Sequence, residues 1–107
     1  MTTYNVNNSL TDPVELHNQY PNKPIINRYS LDFIEVGNYV KIRRNQEDFW
    51  VEVKEFDGEN ITGEVYYELG INKFKGGDLL QFKKDFCFDA YDPKVFNLIP
   101  NIHLVNS

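Results

Sequence analysis

The 107-residue sequence has one cysteine, one tryptophan, two histidines and no long run of apolar residues. A single cysteine, Cys87, excludes an internal disulfide and a thiolate metal cluster. No segment approaches the roughly 18 apolar residues that cross a bilayer. Residues 1–16 have neither the basic start nor the apolar run of a secretory signal. These absences predict an intracellular, cytoplasmic protein without a membrane anchor.

Positive charge is also scarce, because 11 Lys and Arg face 16 Asp and Glu, for a formal net charge of −5. That balance disfavours non-specific binding to nucleic acid, whose affinity comes mainly from neutralising phosphates. It equally disfavours attachment to anionic lipid. Hydrophobic residues reach 41% and aromatic residues 15%, which is enough to bury one core in a chain of single-domain length.

Groups with catalytic chemistry are few and scattered. His17 and His103 lie near opposite ends of the chain, and no further ligands stand at metal-binding spacing. The apolar and acidic neighbours of Cys87 disfavour a reactive thiolate. Gly76-Gly77 belongs to a turn and does not open a helix, so it does not form a phosphate cradle. The sequence predicts no enzyme activity, no metal and no cofactor.

The first 36 residues contain a short helix signal and little else. Asp12 is a suitable N-cap, Pro13 suits the first helical position, and Pro21 ends the run. Residues 1–10 are expected to fray unless they dock. We therefore predict an N-terminal extension with a short helix that packs on a barrel (1–36), a β-barrel core (37–91) and a C-terminal tail (92–107).

From Gly37 the apolar residues recur with a period of two. This alternation in "NYVKIRR", "FWVEVKEF" and "NITGEVYYE" predicts antiparallel strands with one buried face. Asp57-Gly58 predicts a hairpin between the second and third strands. "LLQFKKDF" and "FCFDAYD" supply further strands. The predicted fold is mainly β with a minor helix: a small curled antiparallel meander, or an SH3-like or OB-like barrel, of about five strands.

Three segments resemble a family of small bacterial β-rich domains of unknown function: "VGNYVKI", "FWVEVKEFDGENITGEV" and "KGGDLLQFKKDF". The family pattern is G-D-x-V-K, then W-V-x-V with a D-G turn, then G-D-x-V-x-F. The resemblance covers roughly residues 20–90 and places Gly37, Trp50, Asp57-Gly58 and Gly77-Asp78 at the corresponding positions. Asn38 departs from the family's usual Asp. The resemblance implies the fold and assigns no catalytic residue.

Adjacent aromatic residues suggest a binding face. Phe49 and Trp50 are neighbours, as are Tyr66 and Tyr67, so one of each pair must point away from the core. Exposed aromatic patches on small barrels bind peptides or cations. We therefore predict a non-catalytic module that binds a protein partner through these four residues. In the competing interpretation, the termini cover Trp50 through Ile25, Ile26 or Leu98.

Two other hypotheses remain open. If the first and fourth predicted strands lie close together, Arg43, Arg44, Lys83 and Lys84 would form a basic stripe. Such a stripe, with an aromatic beside it, would bind single-stranded nucleic acid. Alternatively, an open strand edge would pair with another chain or another copy, which would make the protein a structural or assembly subunit.

Overall fold

The computed structural model describes residues 3–21, 28–67 and 70–96. It confirms a mainly β fold with a minor helical part. The elements, in chain order, are β1 (Thr3–Asn5), α1 (Pro13–Gln19), a 3-10 helix (Arg28–Phe33), β2 (Tyr39–Arg44), β3 (Glu47–Phe56), β4 (Asn60–Val65), β5 (Leu79–Lys83), a second 3-10 helix (Lys84–Phe86), β6 (Asp89–Tyr91) and α2 (Pro93–Phe96).

The strands form one six-stranded sheet in the order β1-β5-β4-β3-β2-β6. The sheet is mixed and not wholly antiparallel, because β1 pairs with β5 in parallel. No ladder among the described strands joins β1 to β6, so these strands do not close into a barrel. The N-terminal segment docks because Val6 and Leu10 are buried in the core.

One face of the sheet forms the core, as the period of two predicts. The inward side chains of the central strands are almost completely buried: Val40, Ile42, Phe49, Val51, Val53, Ile61, Val65, Leu80 and Phe82. Leu31, Ile34 and Phe74 pack against them from outside the sheet. A bulge between Val53 and Glu55 adds one residue to β3. It leaves Glu55 exposed and lets Phe56 pack against the core.

Two predicted turns are confirmed. Gly58 has a φ of +98°, and the Asp57 carboxylate accepts hydrogen bonds from the backbone N–H groups of Glu59 (2.9 Å) and Asn60 (2.7 Å). Gly77 has a φ of +97°, and the neighbouring Asp78 carboxylate accepts from the Lys75 N–H. Both turns therefore combine a glycine in the left-handed region with a carboxylate that satisfies turn N–H groups.

The β2–β3 hairpin turns through two residues that are not glycine. Asn45 and Gln46 have φ values of 52° and 66°, which a two-residue type I′ turn requires. Buried Asn72 holds this turn from a neighbouring loop. Its side-chain oxygen accepts from Arg44 and Asn45, and its side-chain nitrogen donates to the Arg44 carbonyl and to Glu47. These bonds offset the strain of the turn.

The segment that follows β1 crosses from β5 to the end of β2 and is hydrogen-bonded to both strands. The Val6 N–H donates to the Gln81 carbonyl at 3.0 Å, and the Thr11 N–H donates to the Arg43 carbonyl at 2.8 Å. The predicted helix follows, and the Asp12 carboxylate caps it by accepting from the N–H groups of Val14 and Glu15. The segment before Gly37 thus supplies a strand and core side chains in addition to its helix.

The structure describes only part of the segment before Gly37 and of the C-terminal tail. The two prolines of "PNKPIINRYS" favour an extended segment, but its last residues belong to the 3-10 helix Arg28–Phe33. Residues 22–27 and most of the tail predicted at 92–107 lie outside the described residues. The part of the tail that is described forms the single turn α2.

Gly63 leaves no room for a side chain beside Val51, and Gly63→Ala is expected to destabilise the protein. A Cβ at this position would lie 2.6 Å from Val51 Cγ2. Overpacking of this kind costs about 1–3 kcal/mol. The free energy of unfolding from urea denaturation measures the loss. The double variant Val51→Ala/Gly63→Ala should lose less unfolding free energy than the sum of the losses in the two single variants, because Val51→Ala makes room for the new Cβ. Additive losses would contradict the proposed contact.

Candidate functional site

The face of the sheet that points away from the core is called here the outer face. It is formed by side chains of β2, β3, β4 and β6, and strand register sets their neighbours. Tyr39 lies between Tyr91 of β6 and Glu52 of β3. Lys41 lies opposite Trp50. The outer face is therefore one continuous surface that spans the four strands.

Four rings on this face form an aromatic row: Tyr66, Tyr39, Tyr91 and Trp50. Tyr66 meets Tyr39 edge-on with ring centroids 5.6 Å apart. Tyr39 stacks on Tyr91 at 5.7 Å, and Trp50 meets Tyr91 edge-on at 5.3 Å. Each distance and orientation suits a favourable aromatic pair, worth about 0.5–1.5 kcal/mol beyond burial. The row is therefore a mutually supported structure.

Exposure differs along the aromatic row. Tyr39 is only 4% exposed, although it lies outside the core cluster, and Tyr66 is 38% exposed. Trp50 and Tyr91 are half-buried. The indole Nε1 of Trp50 is buried, and the described part of the chain offers it no hydrogen-bond acceptor. Ile25, Ile26 and Leu98, the residues expected to cover Trp50 in the competing interpretation, lie outside the described residues.

Charged side chains surround the aromatic row in a defined pattern. The Lys41 ammonium lies 5.7 Å from the centroid of the Trp50 ring, within range of a cation–π contact. Glu52 and Glu64 are cross-strand neighbours. Lys54 lies 3.0 Å from the Glu52 carboxylate and 3.8 Å from that of Glu64. Two carboxylates thus share one ammonium beside the tyrosines.

Burial changes the acid–base behaviour of two tyrosines in the row. Desolvation, reinforced by the charge of Glu52, raises the pKa of Tyr39 from 10.0 to about 12. Desolvation, with a smaller contribution from Tyr66, raises the pKa of Tyr91 to about 12. Both hydroxyls therefore keep their protons well above neutral pH.

The structure separates the four predicted partner-binding residues. Trp50 and Tyr66 lie on the outer face, as expected. Phe49 is 1% exposed and packs near Phe74 on the inner face, so its proposed role as an anchor is corrected to a core role. Tyr67 is partly buried against the core, where desolvation raises its pKa. Since strand residues alternate, Phe49 cannot share a face with Trp50.

The four predicted basic residues do not form a stripe along adjacent strands. Arg43 and Arg44 belong to β2, whereas Lys83 ends β5, and β3 and β4 lie between these strands. Arg43 pairs with Asp48 at 2.8 Å. Arg44 donates to Ser9 and lies 5.1 Å from the Phe74 centroid. Lys84 lies in the 3-10 helix after β5. Nucleic-acid binding through these residues stays a prediction with little geometric support.

Metal-binding clusters and membrane-spanning helices are absent from the described residues. Across residues 3–21, 28–67 and 70–96, no group of three or more His, Cys, Asp or Glu side chains is placed to hold a metal ion. The same part of the chain has no helix with the length and apolar character to cross a membrane. Cys87 is completely buried in the core.

Two members of the aromatic row were not predicted as site residues. Tyr39 could have been found, because the alternation of β2 places it on the same face as Lys41. Tyr91 could not, because its position depends on the register between β6 and β2, which no local signal in "FCFDAYD" specifies. Tyr91 nevertheless links the other rings, since it contacts both Tyr39 and Trp50.

No protein-family model, curated protein or solved structure matches this chain.

The unfolding free energy is expected to fall as pH rises from 10 to 12. An unfolded tyrosine ionises near pH 10.0, whereas folded Tyr39 holds its proton to about 12. The contribution of Tyr39 to the unfolding free energy is therefore complete below pH 10, and it is lost as the pH rises to the folded-state pKa. At about 1.4 kcal/mol per pKa unit, a rise from 10.0 to about 12 corresponds to a loss of at most about 3 kcal/mol.

Urea denaturation at a series of alkaline pH values measures this decline. Other groups titrate in the same range, so the informative quantity is the difference between wild type and Tyr39→Phe. The decline should be shallower in Tyr39→Phe and in Tyr91→Phe, because each variant removes one of the titrating hydroxyls. Identical slopes in all three proteins would contradict the burial of these hydroxyls.

Proposed function

We propose that this protein is a non-catalytic interaction module that binds a protein partner through its outer face. The anchors in this proposal are Trp50, Tyr66 and Tyr91. Tyr39 supports them from below, since it is buried and contacts both Tyr66 and Tyr91. Phe49 and Tyr67 are no longer among the anchors because they pack on the core side.

The observation that carries this proposal is the aromatic row itself. Aromatic side chains on the solvent side of a sheet are typical of binding anchors, because they bury large areas with few rotatable bonds. Tyr66 is 38% exposed, although its ring contacts two other tyrosines. A ring held in place by neighbours loses little further conformational freedom on binding, which favours affinity.

Several finer expectations belong to this proposal. The curl of the sheet is proposed to be of the SH3-like kind, and the protein is proposed to act inside the cell without a catalytic role. The resemblance to small bacterial β-rich domains is likewise proposed, and it assigns no residue a role. Pairing of a sheet edge with another chain is the weaker alternative, because both edge strands, Thr3–Asn5 and Asp89–Tyr91, have only three residues.

Selection of peptides from a random display library on the immobilised protein tests the proposal. Selected peptides should bind wild type and lose about 5–30-fold in affinity to Tyr66→Ser, the range for truncation of an interface anchor. Trp50→Leu should weaken the same peptides. Fluorescence anisotropy of labelled peptides measures the dissociation constants.

Tyr4→Ser is the matched control, because Tyr4 is 39% exposed and lies on β1, the opposite edge strand from β6. This variant should bind the selected peptides as wild type does. A library that yields no binder, or binders that are indifferent to Tyr66→Ser, would count against the proposed function.

A further inference from the structure

The aromatic row already holds a cation. The Lys41 ammonium lies 5.7 Å from the Trp50 ring centroid, and Lys41 and Trp50 are cross-strand partners in the β2–β3 ladder. An ammonium at this distance from an indole is attracted by the negative face of the ring. The ring is therefore placed and oriented to receive a positive group.

The charge around this ring also favours a cation. Glu52 and Glu64 have one ammonium between them, that of Lys54. Arg43, which lies on the outer face of β2, is already paired with Asp48. Asp89 lies opposite Lys41 on the same face. Beside Tyr39 and Trp50, the carboxylates of Glu52, Glu64 and Asp89 therefore outnumber the two ammonium groups of Lys41 and Lys54. An anionic group would meet the opposite balance and would be repelled.

The cation in place can be displaced at low cost. Lys41 is partly exposed, and its ammonium ends a flexible four-carbon stem that can swing into solvent. Ion contacts at a solvated surface contribute little free energy, so a competing cation displaces the Lys41 ammonium at a small free-energy cost. The Trp50 ring, in contrast, is held by its edge-on contact with Tyr91.

We propose that the outer face binds a positively charged side chain of its partner, an arginine guanidinium or a lysine ammonium within a basic peptide, in the place that Lys41 occupies over Trp50. This inference rests on the proposed function and specifies its partner chemistry. Glu52 and Glu64 supply the complementary charge, and Tyr66 packs against the stem of the incoming side chain.

The test uses small cations and the single tryptophan as reporter. Methylguanidinium and tetramethylammonium are titrated into the ¹⁵N-labelled protein while the Trp50 indole N–H resonance is followed by NMR. In Lys41→Met, where the competing ammonium is gone, both cations should shift this resonance saturably, with about two- to fivefold tighter apparent binding than in wild type, the range for an exposed cation–π contact. The neutral alcohol tert-butanol should produce no saturable shift.

A second pair of variants tests the carboxylates. In the Lys41→Met background, Glu52→Gln/Glu64→Gln should weaken cation binding severalfold. Glu59→Gln, which removes an exposed charge from the β3–β4 turn, should leave it unchanged. Absence of a cation-dependent shift in Lys41→Met, or an equal shift with tert-butanol, would overturn the inference.

The two proposals can fail separately. Display peptides that depend on Tyr66 but bind equally well after their Arg and Lys residues are replaced by Gln would sustain the proposed function and overturn the cationic partner. Saturable cation binding at Trp50 without any selected peptide would sustain the cation site and count against the protein-binding function.

Discussion

The alternation of side chains along β2, β3 and β4 is the constraint on which the rest of the structure depends. A shift of one residue in any ladder would exchange the faces, moving Val51 and Val53 into solvent and Trp50 into the core. Burial of the inner face fixes the register, since those valines are 0% exposed. The outer face is thereby determined as well, because Trp50 must lie opposite to its buried neighbours.

One feature of β3 interrupts this alternation, and one residue outside the sheet supports it. The bulge at Lys54 changes the parity of β3 once, so that Phe56 packs inward beyond it. Asn72 stabilises the β2–β3 turn, in which Asn45 and Gln46 both have positive φ. The aromatic row therefore lies on strands whose register is fixed by the core and by this turn, and the charged groups that surround it lie on the same strands.

Local patterns predicted much of this fold. The period of two identified the inner and outer residues of the central strands, and Asp57-Gly58, Gly77 and Asp12 marked two turns and a helix start. Features that depend on long-range pairing could not be predicted: the parallel docking of Thr3–Asn5, and the register that brings Tyr91 between Tyr39 and Trp50. The sequence did not show which side chain of the adjacent pair Phe49-Trp50 faces the core, and the burial of Phe49 decides it.

The most direct test of this account is the set of ring-to-ring nuclear Overhauser effects in the folded protein. The expected contacts run from Trp50 to Tyr91 and from Tyr39 to Tyr66, whereas Phe49 contacts Phe74 on the inner face. Contacts from Trp50 to Phe74 or to the buried valines would contradict it, because they would place the tryptophan inside the core and leave the outer face without its aromatic row.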